Sequence, residues 1–289
     1  SKPASSRLTG TIPMNEPGDT TQREQITTKI WREEAEPDNP FAAAACYCSG
    51  YDVYGDLLGK ISLIEYIWLL FKLEPPSKTQ AQLFESLAVA LANPGPRDHS
   101  VRAAMNAGVG GSTRASALMA AIAVGAGNLG GSREVYTAMQ YWQQCGVNLD
   151  AWLEIITSPP TDERADVWPE MEHTPGFDPH GASCPTPVKQ LLAHLGALSN
   201  GGCLSWLEHH RETLEKQATI PLTYSGVAAA TFFDLGFEPE QAEIIYLFLR
   251  LPGAAAHALE QEKMGFRRYP FFANGLTLTN DPGQVARHE

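Results

Sequence analysis

The stretch from Gly59 to Asp98, GKISLIEYIWLLFKLEPPSKTQAQLFESLAVALANPGPRD, constrains this chain more than any other. Its apolar residues recur at helical spacing in two blocks, each too long for an ordinary strand. Proline closes both blocks. Pro75 and Pro76 offer no amide donor and their rings clash with a preceding turn, so the first helix ends before them. Ser77 suits the N-cap of the second helix, and Asn93-Pro94-Gly95-Pro96 stops it.

The same pattern repeats along the chain. From Ile30 onward helical spacing dominates and apolar–polar alternation is scarce, which predicts few strands. Ser116–Gly127 is almost all small residues, which predicts a helix at the centre of the molecule. Gly130-Gly131 then breaks the pattern ahead of a helix from about Ser132 to Gln144. Asp150–Pro187 is rich in proline and reads as loop. Helices resume at about Val188–Leu198 and Cys203–Gln217. SGVAAATFFDLGF is a further small-residue helix closed by Gly236, and the final helical run is interrupted at Pro252-Gly253. Residues 1–27, rich in Ser, Thr, Pro and charge, read as a flexible N-terminal arm.

With 289 residues, 43% of them hydrophobic, the chain can bury a sizeable core. Its formal net charge of −12 argues against nucleic acid or an anionic membrane as partner. The apolar runs are too short to span a bilayer. The five cysteines form no CxxC pair and no even disulfide framework. Together with the absence of a recognisable secretory leader, this points to a cytoplasmic protein.

One loop concentrates reactive side chains. TPGFDPHGASCPTP, Thr174–Pro187, holds Asp178, His180 and Cys184 among four prolines and two glycines. In an extended segment, Asp178 and His180 share a face. The bland alternative is a capping aspartate and an exposed histidine in a turn. Three ligand types without a fourth spaced partner make a poor zinc site, so no metal is expected. Cys184 lacks an adjacent base, which weakens it as a nucleophile. GVGGST, Gly108–Thr113, lacks the lysine of a phosphate-binding loop.

Three stretches in order resemble the citrate synthase superfamily, and its short citryl-CoA lyase-like branch most of all. YGDLLGKISLIEYIWLLFKLEPPSKTQAQLFESLAVALANPGPRDHS is similar to the family's opening helices, which run into an Asp-His pair. GSTRASALMAAIAVGAGNLGGSREV is similar to the helix that leads into His-Gly-Gly-Ala. SGVAAATFFDLGFEPEQAEIIYLFLRLPGAAAHALEQEKMGFRRYPFF is similar to the Asp-Gly helix, the Arg-x-x-Gly element and the Arg-Arg-Tyr-Pro tail. PGFDPHG and PTPV stand where the family has Pro-Gly-Phe-Gly-His and Asp-Pro-Arg.

The resemblance implies an all-α, citrate synthase-like fold of two domains. A large helical domain holds about 28–130 and 231–289 and forms a homodimer. A smaller mobile domain, about 131–230, closes over the cleft. It also implies a coenzyme A ester and a small organic acid as ligands. The family reaction makes or breaks a carbon–carbon bond beside a thioester carbonyl. It needs a base, an enol-oxygen donor and cationic clamps for carboxylates.

Carried over residue by residue, that equipment is only partly present. The base position is Ser225. Leu129 replaces the donor histidine, with Asn128 beside it as a possible donor. Asp178 or Pro179 falls at the other histidine, and Val188 at the Asp-Pro-Arg arginine. His99 matches a histidine that contacts the keto acid, and Arg250 a carboxylate-binding arginine, with Glu243 a potential partner on the same face. Arg267 or Arg268 matches the arginine given to the neighbouring copy's site. His257 matches a family histidine and reads as structural. Asp178 and His180 are the first candidates for proton transfer, with His99 and Ser225.

The expectation is a CoA-dependent carbon–carbon lyase or synthase acting on an atypical substrate. The alternatives are a non-catalytic paralogue that binds an organic acid or CoA ester, and a hydrolase built on Asp178, His180 and Cys184.

Overall fold

The computed structural model describes residues 27–160 and 171–268. The N-terminal arm, the tip of the proline-rich region at 161–170, and the tail after Arg268 lie outside the described residues. The chain divides into two compact units, Ser1–Leu58 and Gly59–Glu289.

The described part of the first unit is a small antiparallel sheet, β1 (Arg32–Glu36), β2 (Asn39–Cys48) and β3 (Tyr51–Asp52), in that order. This departs from the helical expectation past Ile30. The run Ala42–Ala45 favours helix, but Pro37 and Pro40 interrupt any helix there. Ser49 and Gly50 both take positive φ, as a tight hairpin turn between β2 and β3 requires. Across the β1–β2 pair the Arg32 guanidinium lies 3.9 Å from the centre of the Tyr47 ring. Asp52 then caps a short π-helical turn, Val53–Leu57, through the amides of Tyr54 and Gly55.

Gly59–Glu289 contributes the eleven α-helices of the described residues. These are α1 (Leu63–Lys72), α2 (Lys78–Ala92), α3 (His99–Val109), α4 (Arg114–Gly125), α5 (Ser132–Cys145), α6 (Leu149–Thr157), α7 (Thr186–Ser199), α8 (Gly202–Ala218), α9 (Tyr224–Asp234), α10 (Pro239–Leu249) and α11 (Leu251–Met264). Ser77 caps α2 as the sequence predicts. Ser62 with Glu65, and Ser77 with Gln80, form complete capping boxes on α1 and α2. The all-α fold class holds, with one small sheet among the described residues.

Three local expectations need correction. Helix α6 lies inside the segment read as loop. Asn148 caps it, and Trp152 buries against Trp142 while donating its indole N–H to the Gly146 carbonyl. The interruption in the last helical run falls at Arg250, and Pro252 sits in the first turn of α11, where its missing N–H costs nothing. Helix α4 is not centrally buried within the chain. Only Ala117, Ala121 and Gly125 are covered, and Met119, Ile122 and Val124 face outward.

Two cores organise the helices. An aromatic core gathers Trp68, Phe84, Trp142, Phe232, Phe237 and Tyr246, joining α1 and α2 to α5–α10. A smaller layer of Val101, Ala104, Met105, Ala117, Ala121, Ala254 and Ala258 joins α3, α4 and α11. Small residues let these helices come close. A Cβ on Gly108 of α3 would stand 2.7 Å from the Ala258 carbonyl of α11. Among the described residues no helix is long and apolar enough to cross a membrane.

Candidate functional site

The site is built where the α4–α5 turn, the loop after 171 and the start of α9 converge. Glycine permits the convergence. Gly176 takes φ +88°, and a Cβ there would lie 2.6 Å from the Gly226 Cα. The Gly176 carbonyl accepts from Thr223 N at 3.0 Å, the Pro221 carbonyl accepts from Asp178 N at 2.8 Å, and Phe177 bridges antiparallel to Leu222. PGF is thereby pinned alongside the lead-in to α9. On the opposite wall, Gly131 must be glycine, because a Cβ would meet the Gly127 carbonyl at 2.3 Å.

Glu134, on the first turn of α5, sits at the centre and is fully buried. Its Oε2 accepts from Gly130 N at 2.6 Å and from Ser225 Oγ at 2.9 Å. Its Oε1 accepts from Gly176 N at 3.1 Å and lies 2.8 Å from His173 Nε2. One carboxylate thus ties together the three segments that carry the resemblance's reaction positions. An acceptor so placed leaves none of these buried donors unpaired.

A second cluster adjoins it through Gly130. The Gly130 carbonyl accepts from Tyr246 Oη at 3.0 Å and from Arg250 Nη1 at 2.9 Å. The other Arg250 amine nitrogen pairs with Asp98 Oδ2, and Asp98 Oδ1 caps α3 through Ser100 and Val101. Burial lowers the Arg250 pKa to about 10. Burial, with the Glu134 charge adding to it, raises the Tyr246 phenol far above its ordinary value, so Tyr246 stays a hydrogen-bond donor. Ser132, at the head of α5, keeps a buried hydroxyl with no partner among the described residues.

The structure brings together two of the sequence's candidates, Ser225 and Arg250, and adds Glu134, His173, Tyr246 and Asp98. It leaves the other candidates apart from this network. Asp178 is half-buried, and its Oδ1 accepts the His180 backbone N–H at 2.9 Å, a local turn. His180, His99, Arg267 and Arg268 are exposed, and Asn128 is half-buried in the α4–α5 turn. Glu243 pairs with Arg133 at 3.6 Å, and not with Arg250. His257 lies 3.1 Å from Asn93 Oδ1 and 3.6 Å from Glu260 Oε2.

Cys184 is buried, and burial with the nearby Glu215 charge pushes its thiol up to about 11. That is the opposite of what a thiolate nucleophile needs. Among the described residues no three His, Cys, Asp or Glu side chains come together as a metal cluster. Outside the loop runs an open groove of about 510 Å³, lined by both signs of charge, Lys189, Arg211 and Lys216 with Glu212 and Glu215.

Glu134 carried a signal in the sequence. It lies on the stripe Glu134–Ala138–Tyr141–Cys145, whose other members are all buried. A carboxylate on an apolar stripe must find partners inside the fold. His173, ahead of the Pro175-Gly176 turn, carried no comparable signal.

By sequence the chain matches no family model and none of the curated proteins. Solved structures are similar in fold. Citryl-CoA lyase from Hydrogenobacter thermophilus superposes with a TM-score of 0.66 at 20% identity, over 90% of this chain and 96% of that one. ATP citrate lyase from Methanothrix soehngenii, in complex with citrate and coenzyme A, gives 0.62 at 17% identity, over 100% of this chain and 48% of that one. A mutant ATP citrate lyase from Methanosaeta concilii, in complex with (3S)-citryl-CoA, gives 0.66 at 16% identity, over 98% and 47%. The chain therefore spans about half the length of those two ATP citrate lyases. At these identities the likeness speaks of architecture: this chain has the fold of a citrate synthase of the citryl-CoA lyase type.

Proposed function

We propose that the protein is a CoA-dependent carbon–carbon lyase or synthase that takes an atypical acid partner. Fold alone supports many activities, so the observation that carries this reading is Arg250. Its buried guanidinium already holds an internal carboxylate, Asp98, beside the Gly130 turn. Arg grips carboxylates through paired donors. A substrate carboxylate reaches Arg250 only by displacing Asp98, which favours a partner with fewer carboxylates than oxaloacetate. Val188 in place of the Asp-Pro-Arg arginine favours the same conclusion, because that side chain is buried in the aromatic core.

In this reading a CoA thioester is a substrate and no metal takes part. His99 at the head of α3 contacts the acid, and Asn128 beside the exposed Leu129 supplies a donor to the thioester oxygen. Asp178 and His180, on the outer part of the loop after 171, are further proton-handling candidates. The unpartnered Ser132 hydroxyl, at the positive end of the fourteen-residue α5, suits an oxygen-rich ligand. The outward apolar face of α4 packs against a second copy, and Arg267 or Arg268, exposed in the short 3-10 turn after α11, reaches the partner's site. The part at 131–230 moves against 28–130 with 231–289. Since one aromatic core spans these parts, that movement is a small slide of packed helices. The five free cysteines suit a reducing cytoplasm.

Incubation with citryl-CoA and with 3-hydroxyacyl-CoA esters carrying one carboxylate tests the reading. Release of both a thioester and a keto acid is the expected outcome, faster with the simpler acids. Tight binding of the esters with no cleavage overturns it in favour of the non-catalytic paralogue. That alternative draws on Leu129, an apolar and half-exposed side chain where the resemblance expects a donor.

A further inference from the structure

We propose that Glu134 is the proton acceptor of this site, working through the hydroxyl of Ser225. The inference rests on the lyase reading. Ser225 occupies the base position that the resemblance assigns to an aspartate, and a serine hydroxyl alone is a poor base. The structure places a carboxylate 2.9 Å behind that hydroxyl, reaching across from α5 instead of growing from α9. The carboxylate stands on α5, and the Ser225 hydroxyl on α9 is bonded to it.

The arrangement is built to hold one geometry. Ser225 and Glu134 are fully buried, and the Ser225 Oγ–H points at Glu134 Oε2. The second carboxylate oxygen faces His173 Nε2 at 2.8 Å and Gly176 N at 3.1 Å. A carboxylate oxygen can only accept, so toward a carboxylate Glu134 it is Nε2 that carries the proton and donates. His173 holds the carboxylate as a carboxylate holds the imidazole in a hydrolase triad, with the roles reversed. Donors fixed in advance need no reorganisation when charge moves.

The step balances without a cofactor. The C–H bond beside the thioester carbonyl breaks, and its electron pair stays on the substrate as the enolate. The proton goes to Ser225 Oγ while the Ser225 proton passes to Glu134 Oε2, forming a carboxylic acid. In the cleavage direction Glu134 starts protonated: the substrate's hydroxyl proton leaves to solvent as the keto acid's carbonyl forms, and the carbon–carbon bond supplies the enolate's electron pair. The enolate then takes a proton from Ser225 Oγ, Ser225 takes one from Glu134, and Glu134 regains its proton from solvent.

The test is exchange of the hydrogens beside the thioester in D2O, read by mass spectrometry with acetyl-CoA and propionyl-CoA as probes. Wild-type protein incorporates deuterium. Glu134→Gln and Ser225→Ala each slow incorporation by at least about 100-fold, the usual scale for losing a general base, while equilibrium binding of the same esters changes little. The double variant Glu134→Gln/Ser225→Asp places a carboxylate on α9 and recovers exchange to within about tenfold. A merely structural Glu134 leaves exchange in folded Glu134→Gln near the wild-type rate. Normal exchange in folded Glu134→Gln or Ser225→Ala overturns the relay and leaves the lyase reading standing. If Glu134→Gln fails to fold, Ser225→Ala decides alone. Wild-type protein that binds the esters yet exchanges nothing overturns the lyase reading, and the relay with it.

Discussion

The two halves of the loop after 171 hold the same kinds of residue and behave differently. The inner half, His173–Phe177, is pinned to Glu134, Thr223 and Gly226 and is largely covered. The outer half, Asp178–Cys184, has a carboxylate and a histidine two residues apart, yet the carboxylate caps the backbone of the histidine, whose ring faces solvent. Closeness along the chain made Asp178 and His180 look like a working pair. Closeness in space makes one of Glu134 and His173, thirty-nine residues apart. The difference lies in burial. A buried carboxylate must be matched by donors and so becomes the point where segments converge, whereas an exposed one is matched by water.

The largest expected effect breaks the inner half. Glu134→Ala leaves the amides of Gly130 and Gly176, the Ser225 hydroxyl and His173 without their acceptor. Removing one partner from such a buried pair costs on the order of 3–5 kcal/mol. Urea unfolding of the variant should show that loss. A loss under about 1 kcal/mol would show that water replaces the carboxylate and that the inner half is no more constrained than the outer.

How much of this could be read from the sequence follows from the range of the forces involved. Ser62 with Glu65, Ser77 with Gln80, and the Gly236 stop act within one or two turns, so the helix ends they set are legible. The small sheet was not, because an alanine run favours helix and only strand pairing reverses that preference. Helix α6 was missed because its stability comes from Trp152 packing on Trp142 and Trp206, contacts with other helices. The site was half legible. Ser225 and Arg250 were placed by the order of motifs. Glu134 and His173 function through bonds to distant segments, which the local pattern does not record.

A middle-sized effect separates the halves by pH. Cys184 closes the outer half, and its thiol is raised from an ordinary value near 9 to about 11 by burial first and by the Glu215 charge second. A group whose pKa is raised on folding lends stability that is complete below the unfolded value and is lost as pH climbs through the folded one. Thermal stability should therefore fall between about pH 9 and pH 11. Cys203, pushed up to about 12 by burial beside Asp234, acts in the same direction. Cys184→Ala should flatten the fall, leaving the part due to Cys203. An unchanged slope would mean that the Cys184 end of the loop opens to solvent before the fold melts.

The smallest effects belong to the pair that the sequence put first. Asp178→Ala removes one acceptor from the His180 amide in a half-exposed turn, which costs about 1 kcal/mol. His180→Ala removes an exposed ring and should change stability by less than about 0.5 kcal/mol. Their activity readout sharpens the contrast further. If the inner half carries the proton, both variants keep deuterium exchange beside the thioester within a few-fold of wild type, and any change appears in KM. A collapse of exchange in His180→Ala, with binding intact, would shift the proton chemistry to the outer half. Glu134 would then be a structural tie, because a buried network that only fixes segments cannot compensate for a lost base at the loop tip.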